Sequence, residues 1–560
     1  MRPVDVRSGG LVGGYNPIRD PRRLESTQAT LLQNWRIRDA ALVRRPGSSK
    51  IGGTASARRV ITLLRANIAG AQTALRCDQD KVYEYVGSSN TWNDVTGADT
   101  LQGGDDDTFT GDSYLDNLYL SNGVAATGAQ SYGTYSYGGL GSTLSGVTDT
   151  GPDTITVPPA KVIEAGFAER VWLMNTIEGG SIKQHRARYC QRGDPTKWSG
   201  TGAGYYDLAD DPYPINAATA LAGRLFVFKG SSSGGSIIYG VESGLSIAPV
   251  QWRTMNPESG IGCLCGKTVS HVTSNAIIFL AHDEIYLFDG SQLRPLGGAV
   301  AREILDAINH EALWQAHAYY DDINREYNLF VPLSQSEIDP NYRYVYHLDT
   351  QRWSGPDPLD HTTSVSLVLS ISEIWSTITG PWTDHDESWA DLTSTRGRPS
   401  TFFGRDNGDV TQYDEAADDD DGTTYESIYE SPLLTFQGLP YVSRRRMMYI
   451  SSRSGQPRMA GANVSEETTE FSLKNILAVT LIYQDISPVD YTVEVSIDGK
   501  STWMTVGTAT LGTGTGRVLH HRFYTTITGD RFYFRVSASS RAAIIDITYR
   551  LQHAGRYGND

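Results

Sequence analysis

The chain has 560 residues, of which 39% are hydrophobic and 20% are charged, so it can bury a sizeable core. It contains 57 Gly, 31 Tyr and 11 Trp. Glycine suits tight turns and aromatic side chains suit pleated, half-buried surfaces, so this composition predicts many short strands. The net charge of −16 argues against a protein that reads DNA sequence, because such proteins carry basic surfaces. It is typical of a soluble surface, and it also suits a wall that repels DNA in a channel.

Cysteine content and hydropathy limit the class further. Cys77, Cys190, Cys263 and Cys265 are too few for a disulfide framework in a chain of this length. Cys263 and Cys265 lack the second Cys or His pair of a zinc site, so we expect buried or free thiols. The first residues contain no apolar stretch typical of a signal peptide, and no segment has the roughly 18 consecutive apolar residues of a membrane span. We expect synthesis in a cytoplasm.

Residues 1–55 are basic and proline-bearing, and they predict an extended arm lying along a surface. Within this arm, residues 28–38 are expected to form a short helix with Thr27 as its N-cap.

Residues 56–455 repeat one pattern, an alternating apolar and aromatic strand closed by a Gly, Asp or Asn turn. The repeats are Val82–Val86, Asn117–Ser121, Arg170–Met174, Arg224–Phe228, Glu284–Phe288, Arg343–His347 and Asp409–Tyr413. Their separation of about 35 to 70 residues is close to that of propeller blades. The pattern predicts an irregular β-propeller of six to eight blades, with a string of β-sandwiches as the alternative.

Two further elements complete the predicted all-β fold. Helix-spaced apolar residues predict a helical insertion from Ala299 to His317. The long alternating strands after Leu477 predict a C-terminal β-sandwich module over residues 456–560. The predicted organisation is therefore an N-terminal arm (1–55), a β-propeller with loop and helix insertions (56–455) and the C-terminal module (456–560).

Several motifs invite a functional interpretation, and each has a simpler one. The segment Ser496–Trp503 resembles the Asp-box of sialidase-type propellers, but it departs at Lys500 and is best explained as a capped hairpin turn. The acidic run Asp418–Gly422 lacks the first and last ligands of an EF-hand and is expected to be a solvated loop. Gly230–Gly234 matches the Gly-x-Ser-x-Gly pattern of a nucleophile elbow, but a strand is expected to follow it, whereas that elbow requires a helix. Gly266–Thr268 ends like a P-loop whose first glycine is missing.

The remaining charged clusters carry weak signals. Carboxylates surround His385 within Thr383–Asp391, which we interpret as a loop rather than a hydrolase site. His310 and His317 share one face of the predicted helix, and His520 and His521 lie in a strand where they face opposite ways. Ser443–Arg446 is basic and is expected to dock against an acidic subunit. We therefore predict no catalytic, cofactor-binding or metal-binding residue, no cofactor and no enzymatic activity.

Four groups of segments together resemble the tail nozzle, or tail tubular protein B, family of short-tailed bacteriophages and the related stabilisation proteins that plug the portal–tail channel. The first group is Gly13–Pro17, Asn34–Trp35 and Arg44–Gly47. The second is Ile285–Gly290 with Leu296–Gly297 and the following helix. The third is Ala318–Asp322, Arg325–Pro332, Tyr344–Leu348 and Trp353, and the fourth is Gly404–Asp414 with Asp421–Gly422. Residues 125–200 match nothing in this family.

The resemblance implies a structural protein of the virion tail that forms a homo-hexamer around an axial channel. It implies adaptor or tail-tube proteins above the ring and tail fibres or spikes at its side. The ring would channel DNA during ejection and seal the channel beforehand, and an acidic wall would let DNA slide without specific binding. Two alternatives stay open: a carbohydrate-binding or -cleaving propeller of sialidase or tailspike type, and a generic propeller scaffold for protein partners.

Overall fold

The computed structural model describes residues 3–556 except two longer stretches, 369–398 and 436–471, and several short ones. The short ones are residues 9, 19, 21–22, 55, 128–129, 246–248, 256–259, 415–416 and 487. The chain forms two compact units, one of Met1–Arg45 with Glu426–Asp560 and one of Pro46–Tyr425. The sequence analysis instead divides the chain at 55/56 and 455/456.

The unit Pro46–Tyr425 contains, among its described residues, seven runs of four successively paired antiparallel strands. We number these runs as blades 1 to 7. Their strands are Thr62–Ile68, Ala71–Cys77, Val82–Val86 and Thr91–Asp94 (blade 1); Thr110–Tyr114, Asn117–Ser121, Tyr135–Tyr137 and Ser145–Gly146 (blade 2); Ala160–Ala165, Val171–Glu178, Ser181–Tyr189 and Gly204–Asp207 (blade 3); Ile215–Leu221, Arg224–Ser231, Gly234–Glu242 and Val250–Met255 (blade 4); Ser270–Thr273, Ala276–Leu280, Ile285–Phe288 and Leu293–Pro295 (blade 5); His317–Asp321, Glu326–Val331, Tyr342–His347 and Arg352–Pro358 (blade 6); and Thr363–Val368, Pro399–Gly404, Val410–Asp414 and Gly47–Ile51 (blade 7).

The first strands of successive blades contact one another in a closed circle, with the segment Gly266–Thr268 joining blades 4 and 5. This arrangement is a β-propeller and confirms the predicted fold class. Each of the seven sequence repeats overlaps a strand of a different blade, and the bounds of Val82–Val86 and Asn117–Ser121 agree residue for residue. Large aromatic side chains pack between blades; the rings of Phe226 and Phe288, for example, lie 5.0 Å apart.

Blade 7 is completed by a strand from the other end of the sequence. Gly47–Ile51 pairs with Val410–Asp414, so that Gly47 lies opposite Asp414. Two short strands, Asp419–Asp420 and Thr423–Thr424, extend the same sheet. A Cβ atom at residue 47 would lie 2.0 Å from the carbonyl oxygen of Asp419, so the close approach admits only glycine. This part of the predicted arm is extended, and it belongs to the propeller.

Buried ion pairs secure blade 7 on both sides. Arg76 and Asp78 in blade 1 are 0% and 1% exposed, with Nε and Oδ1 3.0 Å apart. Arg76 also donates to the backbone carbonyls of Ser56 and Gly408, which flank the blade 7 strands. On the other side, the buried pair Arg343–Asp357 has an N–O distance of 3.1 Å, and Arg343 Nη1 lies 3.4 Å from the hydroxyl of Tyr413. We call these two ion pairs the closure pairs.

The described helices are few and short. They are the α-helix Ala299–Ala307 and the 3-10 helices Phe167–Glu169, Gly266–Thr268 and Leu313–Gln315. The helix predicted to reach His317 ends at Ala307, because Ile308 is extended and forms an isolated bridge with Leu333. His310 and His317 therefore do not share a helix face. Among the described residues, no helix has the length and apolar character of a membrane span.

The unit formed by the two chain ends is a β-sandwich. One sheet contains Trp35–Arg38, Ala41–Arg44, Ala543–Arg556, Ser472–Gln484 and Val518–Gly529, with Val4–Arg7 also paired to Ala543–Arg556. The other contains Leu31–Gln33, Ser427–Glu430, Tyr533–Ala538, Val489–Ser496 and Met504–Leu511. The rings of Phe534 and Tyr549, one from each sheet, lie 4.3 Å apart in the buried core.

The predicted C-terminal sandwich is thus present and includes strands from the N-terminal region. The helix predicted over residues 28–38 is wrong, because this segment forms the strands Leu31–Gln33 and Trp35–Arg38. The positive φ of Asn34, 60°, separates the two strands. Leu31–Gln33 pairs with the distant strand Ser427–Glu430, whereas Trp35–Arg38 forms a hairpin with Ala41–Arg44.

Candidate functional site

Polar side chains of the first strands bridge neighbouring blades at the centre of the propeller. A carboxylate oxygen of Asp112 in blade 2 accepts a hydrogen bond from the backbone N–H of Ala165 in blade 3, at 2.8 Å. In the same way, Glu164 in blade 3 accepts from the N–H of Ala220 in blade 4, at 2.7 Å. We call Asp112 and Glu164 the axial acid pair. Both carboxylates satisfy backbone donors on the edge of the next blade.

Burial raises the pKa of both members of the axial acid pair. For Asp112 the backbone hydrogen bonds and the charge of Arg65 oppose this effect without cancelling it. For Glu164 the nearby charge of Asp112 adds to burial and raises the pKa well above its usual range. Two adjacent carboxyl groups of this kind hold a proton more readily than exposed ones, which is the property needed in a general acid.

Arg65 and His271 lie on the first strands of two blades that are not neighbours in the ring. Arg65 lies in blade 1 and His271 in blade 5, yet the charge of Arg65 adds to burial in lowering the pKa of His271. His271 Nε2 lies 2.7 Å from Thr219 Oγ1 in blade 4. The centre of the propeller therefore brings together a guanidinium, an imidazole and the axial acid pair.

A second polar group lies where the chain enters the first strands of blades 5 and 6. Lys267 is in the 3-10 helix before blade 5, Gln315 is in the one before blade 6, and His317 begins the first strand of blade 6. We call these three residues the Lys267 cluster. The two 3-10 helices contact each other, and Cys265 Sγ lies 3.1 Å from the carbonyl oxygen of Ala316.

The Lys267 cluster carries buried polar atoms without a hydrogen-bond partner among the described residues. They are Nζ of Lys267, Nε2 of His317 and both amide atoms of Gln315. The side chains of Gln315 and His317 are deeply buried, with residue exposures of 1% and 3%. Nζ of Lys267 is buried as well, although other atoms of this residue are partly exposed. Such unsatisfied groups are rare in folded proteins because each costs about 1–3 kcal/mol.

The electrostatics of the Lys267 cluster follow from burial. Burial lowers the pKa of Lys267 to about 8, and the charge of Arg59 acts in the same direction. Burial also lowers the pKa of His317 to about 3, with a smaller contribution from the charge of Lys267. Arg59 itself forms an ion pair with Asp339. Near neutral pH, Lys267 is mainly charged and His317 is neutral.

The turn that resembles an Asp-box is a capped hairpin turn, as predicted. Oδ1 of Asp498 accepts hydrogen bonds from the hydroxyl of Ser496 at 2.7 Å and from the N–H of Thr502 at 3.0 Å. The guanidinium of Arg535 lies 4.0 Å from the ring of Trp503. These contacts stabilise the turn and show no catalytic arrangement.

The other motifs have structural roles or lie outside the described residues. Gly230–Gly234 is the predicted hairpin connection, within blade 4. Asp419 in the acidic run caps its own turn by accepting from the N–H of Gly422 at 3.0 Å. The strand prediction for His520 and His521 is confirmed. Thr383–Asp391 and Ser443–Arg446 fall in the stretches that the structure leaves undescribed.

The cysteines and the acidic residues form no metal centre in the described part of the chain. All four cysteines are buried and free, as predicted. Burial raises the pKa of Cys190 to about 11, which keeps this thiol protonated at neutral pH. No group of three or more His, Cys, Asp or Glu residues among those described is placed to hold a metal ion.

Sequence reasoning missed both polar groups. The sequence predicts only an incomplete P-loop at Gly266–Thr268 and a helix face for His317, and it gives no signal at Asp112 or Glu164. Each is defined by burial and by contacts between blades, and local sequence does not report either property.

No family model matches the chain, and no curated protein matches it. Among solved structures, the extracellular domain of a putative hybrid two-component system from B. thetaiotaomicron is 12% identical, with a TM-score of 0.35. That match covers 68% of this chain and 40% of the other, so this chain spans about two fifths of the length of that relative.

Two further solved structures match the chain. An exo-β-1,3-galactanase from Phanerochaete chrysosporium is 8% identical over 90% of this chain and 100% of its own, with a TM-score of 0.24. The Cps50 β-propeller domain from Myceliophteria thermophila is 10% identical over 58% and 95%, with a TM-score of 0.29. At these TM-scores the likenesses carry no argument about function.

Proposed function

We propose that the chain is a structural component of a phage tail, an oligomeric nozzle or tube ring that channels DNA during ejection and seals the channel before it. The observation that carries this proposal is the structural role of the residues behind the family resemblance. Gly47 admits the strand that completes blade 7, and Tyr413 of the fourth group lies 3.4 Å from Arg343 of blade 6 through its hydroxyl. Residues that hold a scaffold together are what a structural family is expected to share.

In this proposal six copies form a ring at the tail, with adaptor or tube proteins above it and fibres or spikes at its side. A ring of identical subunits requires heterologous interfaces that close. The net charge of −16 suits a channel, because an acidic wall does not retain a phosphate backbone. The generic scaffold for protein partners differs from this proposal only in its context.

The decisive measurement is the mass and symmetry of the full-length protein in solution and on grids. Light scattering coupled to size exclusion, followed by negative-stain imaging, should show a six-fold ring. The ring should not retain linear double-stranded DNA at physiological salt. A protein that stays monomeric across a wide concentration range, or that binds the DNA tightly, contradicts the nozzle proposal.

A carbohydrate-directed propeller is the second candidate, and the axial acid pair favours it. Glycoside hydrolysis uses two carboxyl groups, one of which stays protonated at working pH. Burial raises the pKa of both Asp112 and Glu164, the charge of Asp112 adds to this effect on Glu164, and the charge of Arg65 acts on Asp112.

A glycan array and an assay for hydrolysis of bacterial surface polysaccharides test this candidate. Activity should be lost in Glu164→Gln, which keeps the hydrogen bond to Ala220 but removes the titrating group. The exposed Glu169→Gln in blade 3 is the matched control and should leave activity unchanged. The absence of any glycan binding or cleavage by the wild-type protein excludes the candidate.

A further inference from the structure

The Lys267 cluster is a set of hydrogen-bonding groups that the propeller buries but does not use. Its polar atoms differ in kind: an ammonium that donates, an amide that donates and accepts, and an imidazole nitrogen. The protein offers none of them a partner among the described residues. A charge buried in this way is costly unless an opposite charge reaches it.

The charge of the cluster sets the ligand class. The neighbours that act on Lys267 include Cys265 and Cys77, whose pKa values burial raises, so both thiols are neutral near pH 7. Arg59 is compensated by Asp339. The ammonium of Lys267 thus leaves one positive charge without a partner. A single carboxylate balances this charge, whereas a phosphate dianion exceeds it.

The tautomer of His317 adds a second requirement. Its Nδ1 lies 3.1 Å from the carbonyl oxygen of Gln315, and because a carbonyl only accepts, Nδ1 carries the proton. In the neutral ring Nε2 is therefore an acceptor, and it is buried without a donor. Stacking of the ring on Phe330, with centroids 4.7 Å apart, fixes this orientation. A ligand hydroxyl is the donor that Nε2 needs.

We propose that Lys267, Gln315 and His317 form a binding site for a hydroxycarboxylate. The ammonium of Lys267 pairs with the carboxylate, the Gln315 amide donates to it, and the hydroxyl donates to Nε2 of His317. Gly266 sets the position of Lys267, because a Cβ at residue 266 would lie 1.9 Å from the carbonyl oxygen of Asn216. The site is independent of both proposed functions, since it lies outside the axial acid pair and needs no oligomer.

The test is thermal unfolding of the full-length protein near neutral pH, in sodium glycolate, acetate or chloride at equal sodium concentration. A ligand that binds only the folded state raises the midpoint. Glycolate should raise it by at least about 2 °C over chloride, and acetate should raise it less, because acetate lacks the hydroxyl. Above about pH 9.5 both effects should vanish, because Lys267 is then neutral.

Variants assign the effect to the cluster. Lys267→Met should abolish the response to both acids, and His317→Phe should abolish only the difference between glycolate and acetate. Lys183→Met, at an exposed position in blade 3, is the matched control and should respond like wild type. If a variant does not fold, the comparison of wild-type unfolding midpoints in the three salts still tests the proposal. Equal midpoints in glycolate and chloride, or in glycolate and acetate, overturn the proposal.

Discussion

The propeller buries two polar regions of opposite kinds, the closure pairs beside blade 7 and the Lys267 cluster before blades 5 and 6. In the closure pairs every charge has its counter-charge, and Arg76 also donates to backbone carbonyls. In the Lys267 cluster the polar atoms have no described protein partner. Both regions are buried, so burial alone does not distinguish a stabilising element from a proposed binding site. The two regions differ in whether their buried polar atoms have hydrogen-bond partners.

The largest effect is expected when a closure pair is broken. Arg76→Met leaves the carboxylate of Asp78 buried without its partner and should lower the free energy of unfolding by about 3–5 kcal/mol. Urea denaturation followed by circular dichroism measures the loss. Arg294→Met, at an exposed position in blade 5, is the control and should change little. Adding Asp78→Leu to Arg76→Met should recover much of the loss, and no recovery would show that the pair has another role.

A smaller loss is expected from crowding the strand that completes blade 7. Gly47→Ala places a methyl group against the carbonyl of Asp419 and should cost about 1–3 kcal/mol of unfolding free energy. Gly87→Ala is the matched control, since the nearest atom to its Cβ lies 3.8 Å away. If the two variants unfold at the same urea concentration, the strand does not fit as tightly as described.

The Lys267 cluster predicts a pH dependence that the closure pairs do not share. The pKa of His317 is about 3 in the folded state and near 6.5 in the unfolded state, so only the unfolded chain takes up a proton between these values. Stability should therefore fall as the pH drops from about 6.5 towards 3, by about 1.4 kcal/mol per pH unit from this residue. His317→Phe keeps the stacking on Phe330 and should flatten the slope. His520→Phe, exposed in the sandwich, should leave the slope as in wild type.

The smallest effect is expected from an ion pair that is not fully buried. Lys50 in blade 7 lies 2.7 Å from Asp409, and its side chain is 34% exposed. Lys50→Met should cost less than about 1 kcal/mol, because solvent screens the pair. Lys161→Met, at an exposed position in blade 3, provides the baseline. A loss as large as that of Arg76→Met would mean that exposure does not govern the value of these pairs.

Most of the propeller fold can be predicted from local patterns in the sequence. Every repeated segment lies in a separate blade, because strand alternation and the Asn-Gly or Asp-Gly turns that follow it are local properties. The pairing of Gly47–Ile51 with Val410–Asp414 is not local, and it was predicted only as an extended arm. The helix predicted from Ala299 is too long, because a bridge to the distant Leu333 holds Ile308 in an extended conformation.

The candidate sites depend even more on distant contacts. Lys267 follows a glycine in an unremarkable segment, and its lowered pKa arises from burial against residues of other blades. Asp112 and Glu164 are 52 positions apart, and only the ring of blades makes them neighbours. Residue types at a given spacing predict sites within one element, whereas a site built by seven blades requires the fold.

The strand Gly47–Ile51 has a consequence for how the protein is made. It leaves the ribosome before the strands of blades 1 to 6, but its partner, Val410–Asp414, emerges only after those blades have been synthesised. The propeller therefore cannot close during most of translation, and the edge of the early strand stays unpaired for that time. A nascent chain in this state offers that edge to other strands, which makes it a substrate for chaperones and for exchange of the strand between copies.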